Sequence, residues 1–140
     1  MMIFSFNVLG DPVGQGSMRH IGGGRMIASN EKALKFWRES IGDAVQQERN
    51  RLQVDVKFVG AVKVDVRFCV PRSQAAADRK YPIVTAKGQY DIDKAVRAIL
   101  DGIHINTDLI ENDSQVCDLV ASQRFADGCP FGAHVTISVI

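Results

Sequence analysis

The pattern that most restricts the fold lies in residues 57–70, where apolar and polar side chains alternate over the length of a strand. On one side of this stretch fall Val62, Val64, Val66, Phe68 and Val70. Lys63, Asp65 and Arg67 fall on the other side. A period of two predicts a strand with one buried and one solvent-facing side, ended by Pro71. The fold must therefore supply a second layer that covers one face of a sheet.

The remaining segments predict an α+β domain. Strands are predicted at Ile3–Leu9, 115–125 and 133–139, and helices from Ser29 or Asn30 to about Arg49 and over 93–104. Long loops are predicted over 10–28, which is rich in glycine, and over 71–89. The order β, α, β, α, β, β predicts a single small domain over residues 1–140, with a mixed β-sheet and two main helices packed on it.

Composition allows one sizeable core and a nucleic-acid partner. The chain has 140 residues, of which 46% are hydrophobic, enough for one globular domain. Residues 1–90 carry 14 Lys and Arg against 8 Asp and Glu, whereas residues 91–140 carry 3 against 8. These counts fit a basic part that holds a polyanion beside an acidic part that holds metal. They fit an uneven scatter of solvated charges as well.

The cysteines and the apolar runs indicate an intracellular, cytoplasmic protein. Cys69, Cys117 and Cys129 are an odd number without a C-x-x-C spacing, which predicts free thiols in a reducing compartment. The apolar start of the chain lacks a basic segment before it, so we expect a first strand rather than a signal peptide. No apolar run approaches the ~18 residues of a membrane span.

The carboxylates around the second predicted helix are the main candidates for chemistry. Asp91 and Asp93 stand two residues apart at its start, and Asp113 precedes the next strand. If the chain folds back as an α/β unit does, all three could meet at one point. Charges about 5 Å apart repel by roughly 3 kcal/mol at an effective dielectric near 20, so such a set requires a cation. Ligands that are all oxygen favour Mg²⁺ or Mn²⁺.

Asp93 and Asp113 also have purely structural interpretations. Asp93 could cap the helix, and Asn112-Asp113-Ser114 is typical of a turn. Asp93, Arg97 and Asp101 share one helix face, and their spacing alone favours an exposed ladder of ion pairs. The functional alternative places the Arg97 guanidinium near a phosphate that is being cut.

The glycine-rich loop is a candidate for contacts with phosphates. It carries Gln15, Ser17, Arg19 and Arg25 but lacks the Gly-Lys-Ser/Thr ending of a nucleotide-binding loop, so no nucleotide cofactor is expected. A surface loop without a ligand explains it equally well. The predicted nucleic-acid contacts are Gln15, Ser17, Arg19, Arg25, Arg72, Lys87 and Lys94.

Taken in order, these motifs resemble the RusA family of Holliday junction resolvases. The resemblance rests on residues 14–19, 34–38, 66–72, 90–97, 99–102 and 112–116. It implies a small α+β homodimer that binds four-way or branched DNA and nicks two strands symmetrically with Mg²⁺ or Mn²⁺. Asp91, Asp93 and Asp113 match the family's metal-binding, catalytic carboxylates, and Arg97 matches a catalytic basic residue that is often Lys. Asn112 departs from the family's Asp-Asp pair.

Three functions follow as expectations. The first is a structure-selective endodeoxyribonuclease of recombination and repair, in a phage or a cellular setting. The second is a branched-DNA-binding protein whose metal site Asn112 has weakened. The third is a metal-dependent hydrolase of small phosphate esters, which would show no preference for branched DNA.

Overall fold

The computed structural model describes residues 2–15, 18–20, 26–28, 31–71, 91–126, 128 and 130–140, with the backbone alone for 18–20 and 26–28. The strands are β1 (Ile3–Leu9), β2 (Met18–His20), β3 (Met26–Ala28), β4 (Val62–Val70), β5 (Val116–Phe125) and β6 (Gly132–Val139). The helices are α1 (Glu31–Leu52), α2 (Ile92–Asn106) and a short 3-10 helix at Asp113–Gln115. The α+β prediction is confirmed.

The main sheet is mixed, as predicted, and has the strand order β1-β6-β4-β5. The strand β6 runs antiparallel to both β1 and β4, whereas β4 and β5 are parallel. Parallel neighbours need a long crossover, and α2 supplies it here. Because β1 and β4 both run opposite to β6, they point the same way, and their carboxyl ends lie at one end of the sheet.

One face of the sheet carries the core and the other is polar. Apolar side chains from three strands are buried with those of both helices: Phe4, Phe6, Val64, Val66, Phe68, Val135 and Ile137. On the opposite face, polar partners in register bond to each other across β1 and β6. The Ser5 and Thr136 hydroxyls are 2.9 Å apart, and His134 Nδ1 lies 2.7 Å from Asn7 Oδ1. The alternation seen in the sequence thus separates core from solvent.

The helices α1 and α2 pack side by side and point the same way. Gly102 lies directly against Ile41, where a Cβ atom would come within 2.6 Å of Ile41 Cδ1. One turn further along α2, the Asn106 carbonyl faces Gly42 of α1. A Cβ atom at Gly42 would come within 2.9 Å of that carbonyl oxygen. The absence of side chains at these two positions lets the helices approach closely, which fixes α2 on the sheet.

Two segments differ from the sequence prediction. The predicted loop 10–28 contains the antiparallel pair β2 and β3, whose strands of three residues are too short to give a visible alternation. The predicted strand 57–70 begins only at Val62, because the preceding residues bond elsewhere. The Phe58 amide donates to the Leu109 carbonyl at 2.7 Å, and the Val56 carbonyl accepts from Arg49. The predicted caps Ser29 and Asn30 lie outside the described residues.

A buried arginine joins the end of α1 to the segment that follows α2. Arg49 is 6% exposed, and its Nη1 donates to Asp108 Oδ1 at 2.6 Å. Lys57 contacts the other oxygen of Asp108 at 3.2 Å. The hydrogen bond from Arg49 is the main reason why the pKa of Asp108 lies below its usual value of 3.8, and the contacts with Lys57 lower it further.

We therefore expect Asp108→Asn to lower the free energy of unfolding at pH 7. A lowered native pKa means that the carboxylate stabilises the fold fully above its ordinary pKa and loses this effect as the pH falls through the native value. The difference between the variant and the wild type should shrink below about pH 3.8. Urea unfolding at a series of pH values measures it.

Asp55→Asn is the matched control, because Asp55 stands 3.9 Å from Arg49 Nε and is largely solvent-exposed. It should change stability less than Asp108→Asn does at pH 7. Equal effects of the two substitutions, or a pH-independent effect of Asp108→Asn, would contradict the interpretation.

Candidate active site

Asp91 and Asp93 lie at the solvent-exposed start of α2. Asp91 occupies the N-cap position, but its side chain makes no capping hydrogen bond. Its carboxylate instead contacts Lys94 Nζ at 3.3 Å. Asp93 lies in the first turn and is exposed. Capping therefore explains neither carboxylate, and the interpretation of Asp93 as the cap is wrong because Asp91 holds that position.

The N-terminal segment is attached to this end of α2. The Gln15 amide donates to the Lys94 carbonyl at 3.1 Å, and Gly14 packs against Lys94 and Ala95. Arg38 of α1 joins the same contact, since its Nη2 lies 3.3 Å from Gln15 Oε1 and 3.1 Å from Asp101 Oδ2. Two of the predicted DNA contacts, Gln15 and Lys94, are thus brought beside the carboxylates.

The other predicted contacts have a less complete description. Only the backbone of Arg19 is described, in β2. Ser17, Arg25, Arg72 and Lys87 lie outside the described residues.

Arg97 is exposed, one helical turn beyond Asp93. The predicted ladder with Asp101 does not form, because Asp101 pairs with Arg38. No ion pair within the described ranges involves the Arg97 guanidinium. Sequence spacing could not reveal the competing partner, since Arg38 comes from another helix.

Asp113 begins a 3-10 helix that ends at Gln115, and the strand that follows it starts at Val116. The Asn112 side chain accepts a hydrogen bond from the Ser114 amide at 2.9 Å, and Asn112 and Gln115 form a capping box. These local hydrogen bonds therefore fix the backbone of residues 112–115 as a turn. Asp113 itself is exposed.

Gln115 fastens this turn to the segment that leads into β4. Its Oε1 accepts from the amides of Glu111 at 2.7 Å and Asn112 at 3.1 Å. Its Nε2 donates to the carbonyls of Phe58 at 3.0 Å and Gly60 at 2.9 Å. Both amide hydrogens and the carbonyl oxygen are thus used. Gln115 is not among the predicted site residues, although its position three residues after Asn112 is the signature of a capping box.

The three carboxylates do not meet within a single chain. Asp91 and Asp93 open α2, whose 15 residues span ~22 Å at 1.5 Å per residue. Asp113 follows the other end of α2 and lies near Gly60, where β4 begins. No three His, Cys, Asp or Glu side chains of the described residues are grouped closely enough to hold a metal ion. The expected convergence fails because a crossover helix runs opposite to its strands.

Comparison with known protein families identifies the class to which this arrangement belongs. The family described as endodeoxyribonuclease RusA matches residues 10–138, which include both ends of α2 and the 3-10 helix. The family match indicates an endodeoxyribonuclease. The chain belongs to the RusA family, which confirms the resemblance of its motifs. No curated protein matches the chain. Across the described ranges, no helix is long and apolar enough to cross a membrane.

Gln115→Glu should destabilise the protein by about 1–3 kcal/mol, because both donors to the Phe58 and Gly60 carbonyls are lost. A carboxylate oxygen would then face two carbonyl oxygens. Urea unfolding at pH 7 measures the change. Gln47→Glu is the control, since Gln47 is exposed on α1 and the same chemical change there should be nearly neutral. Similar effects at the two positions would exclude this role for Gln115.

Proposed function

We propose that the protein is a metal-dependent endonuclease that resolves four-way and other branched DNA in recombination and repair, acting as a homodimer. Membership of the RusA family supports an endonuclease that acts on Holliday junction DNA. The observation that carries the finer proposal is the pair of exposed carboxylates, Asp91 and Asp93, beside Gln15 and Lys94. A cytoplasmic setting is part of the proposal and agrees with the free thiol of Cys117.

The donor chemistry of this pair fits Mg²⁺ or Mn²⁺. Asp91 and Asp93 offer oxygen ligands alone, which hard divalent cations prefer. Magnesium commonly uses one or two carboxylates, several waters and substrate phosphates, so an exposed pair at a helix start suits it. When bound, the ion supplies a water of lowered pKa and neutralises charge on the phosphate under attack.

The basic side chains around the pair have separate tasks in the proposal. Lys94 compensates the charge of Asp91, which it contacts at 3.3 Å. Arg97 binds a phosphate oxygen and stabilises the negative charge that develops in the transition state. Contacts with the DNA backbone extend from Gln15 and Lys94 to Ser17, Arg19, Arg25, Arg72 and Lys87. Such contacts make binding fall steeply with salt concentration.

Asp113 enters the site from a second copy of the chain in this proposal. Within one protomer, α2 holds Asp113 and the Asp91–Asp93 pair at its two ends. A two-fold dimer can bring the end of one copy to the start of the other, twice. Two equivalent sites then face a substrate that itself has two-fold symmetry, which suits symmetric cutting.

Mixing two inactive variants tests this arrangement. Asp93→Asn and Asp113→Asn should each abolish cleavage of a four-way junction with Mg²⁺ or Mn²⁺. A heterodimer of the two would contain one site with both carboxylates intact, so mixed subunits should recover about a quarter of the wild-type nicking rate. Cleavage should appear as single nicks rather than paired cuts, measured on denaturing gels after the subunits are exchanged.

A mixture of Asp91→Asn with Asp93→Asn is the control, because both changes affect the same side of the site and no intact site can form. A linear duplex should be cut much less than the junction by the wild type. Failure of the first mixture to recover activity would overturn the shared site. Equal cutting of linear and branched DNA, or undiminished cutting by Asp93→Asn, would overturn the proposed function.

Asn112 provides a second test, of metal preference. Asp caps a helix as well as Asn does, so Asn112→Asp should keep the turn while adding a carboxylate beside Asp113. We expect the variant to need less Mg²⁺ for half-maximal cleavage and to show a weaker preference for Mn²⁺. Titrations of both metals against wild type and variant measure this, with unfolding curves to check the turn. Identical titrations would show that Asn112 does not affect metal binding.

A further inference from the structure

The strand β5 is a long edge of the main sheet. It pairs with β4 on one side, and no strand of the described residues neighbours it on the other. Its pairing is irregular at Cys117, between the partners of Val62 and Lys63, and regular over 118–125. Leu119 and Val120, which point to opposite faces of the sheet, are 44% and 45% exposed. An exposed edge with apolar residues on both faces is a site for strand addition.

The charges on β5 are complementary to those of a second, antiparallel copy. Asp118 and Arg124 lie on the polar face of the sheet, level with Lys63 and Cys69 of β4. If a two-fold axis passes through Ala121, residues whose numbers differ equally from 121 lie opposite each other. Asp118 of each copy then faces Arg124 of the other, which makes two ion pairs.

Other registers lose this match. A shift of one residue would set side chains of opposite faces against each other, which a regular sheet does not permit. Moving the axis to Val120 would leave Asp118 opposite Ser122, and moving it to Ser122 would leave Arg124 opposite Val120. Only the axis at Ala121 pairs both charges, and the small side chain there allows close approach.

We propose that β5 is the dimer interface, pairing with β5 of a second copy in antiparallel register about Ala121. The two sheets then form one continuous eight-stranded sheet. The outward charges Asp118 and Arg124 set the register, and Leu119 and Val120 are covered on the two faces.

This register also suits the shared site, and in that respect it rests on the proposed function. The irregularity at Cys117 leaves Val116 one residue step from Asp118, so Val116 of the second copy lies level with Phe125, at the carboxyl end of β5. Its Asp113 therefore arrives at the end of the sheet where α2 starts, which is the end that carries Asp91 and Asp93. Within its own copy, Asp113 lies at the end of the sheet opposite to the start of α2. Pairing at β5 thus places it at the end of the neighbouring sheet where that copy's α2 starts.

Cross-linking tests the register without DNA or metal. Residues opposite each other on antiparallel strands have Cα atoms about 4.5–5.5 Å apart, within the range of a disulfide. In a Cys117→Ser background, Ala121→Cys should form a covalent dimer under mild oxidation, seen on a non-reducing gel. Ser122→Cys is the control, because its own copy lies two residues out of register, and it should cross-link poorly.

Charge exchange tests the interface itself by sedimentation. Asp118→Arg and Arg124→Asp should each weaken dimerisation by about tenfold or more, because like charges then oppose each other. The double variant restores both pairs and should restore the dimer. Arg67→Asp, the same charge change one strand further in, should leave dimerisation unaltered.

The outcomes separate this inference from the proposed function. A monomer at all concentrations, or a dimer that neither the charge variants nor Ala121→Cys affects, would overturn the β5 interface even if junctions are cut. A cross-linked dimer that the charge variants weaken supports the interface, and its failure to cut junctions would count against the function alone.

Discussion

The direction of α2 between two parallel strands determines where every candidate catalytic group lies. Because β4 and β5 are parallel, the chain must return the length of the sheet between them, and α2 makes that return. Residues at the start of α2 are then separated by about the helix length from residues that lead into β5. Asp91 and Asp93 belong to the first group and Asp113 to the second, so the same connection that builds the sheet divides the carboxylates.

Each end of α2 has its own supports, and they are independent of each other. At the start, the Gln15 amide donates to the Lys94 carbonyl, and Arg38 of α1 links the Gln15 side chain to Asp101 further along α2. At the other end, Gln115 and the Arg49–Asp108 pair bind the following segment to the residues before β4. The two halves of the proposed site are therefore positioned before any association, and dimerisation would have to order little else.

Sequence patterns predicted the regular elements well and the connections poorly. The bounds of β1 agree with the prediction, and α2 extends from Ile92 to Asn106 where 93–104 was expected. These elements follow from periodic apolar residues that bury one side. The late start of β4 and the turn at Asp113 depend on side-chain hydrogen bonds from Arg49 and Gln115, which have no periodicity. The site residues could be chosen from a family pattern, but their separation follows only from the direction of the chain.

A site divided between copies would make catalysis depend on assembly. Among the described residues of a single copy, no third acidic, His or Cys side chain groups with Asp91 and Asp93 closely enough to hold a metal ion, and no strand pairs with the outer edge of β5. If pairing at β5 completes both sites at once, a single copy cannot nick DNA, and two cuts arise from one symmetric complex. An enzyme that must cut two strands as a pair benefits from this coupling, because a half-assembled form leaves the junction intact. The charges of Asp118 and Arg124 would then act on catalysis through the register alone, without touching the DNA.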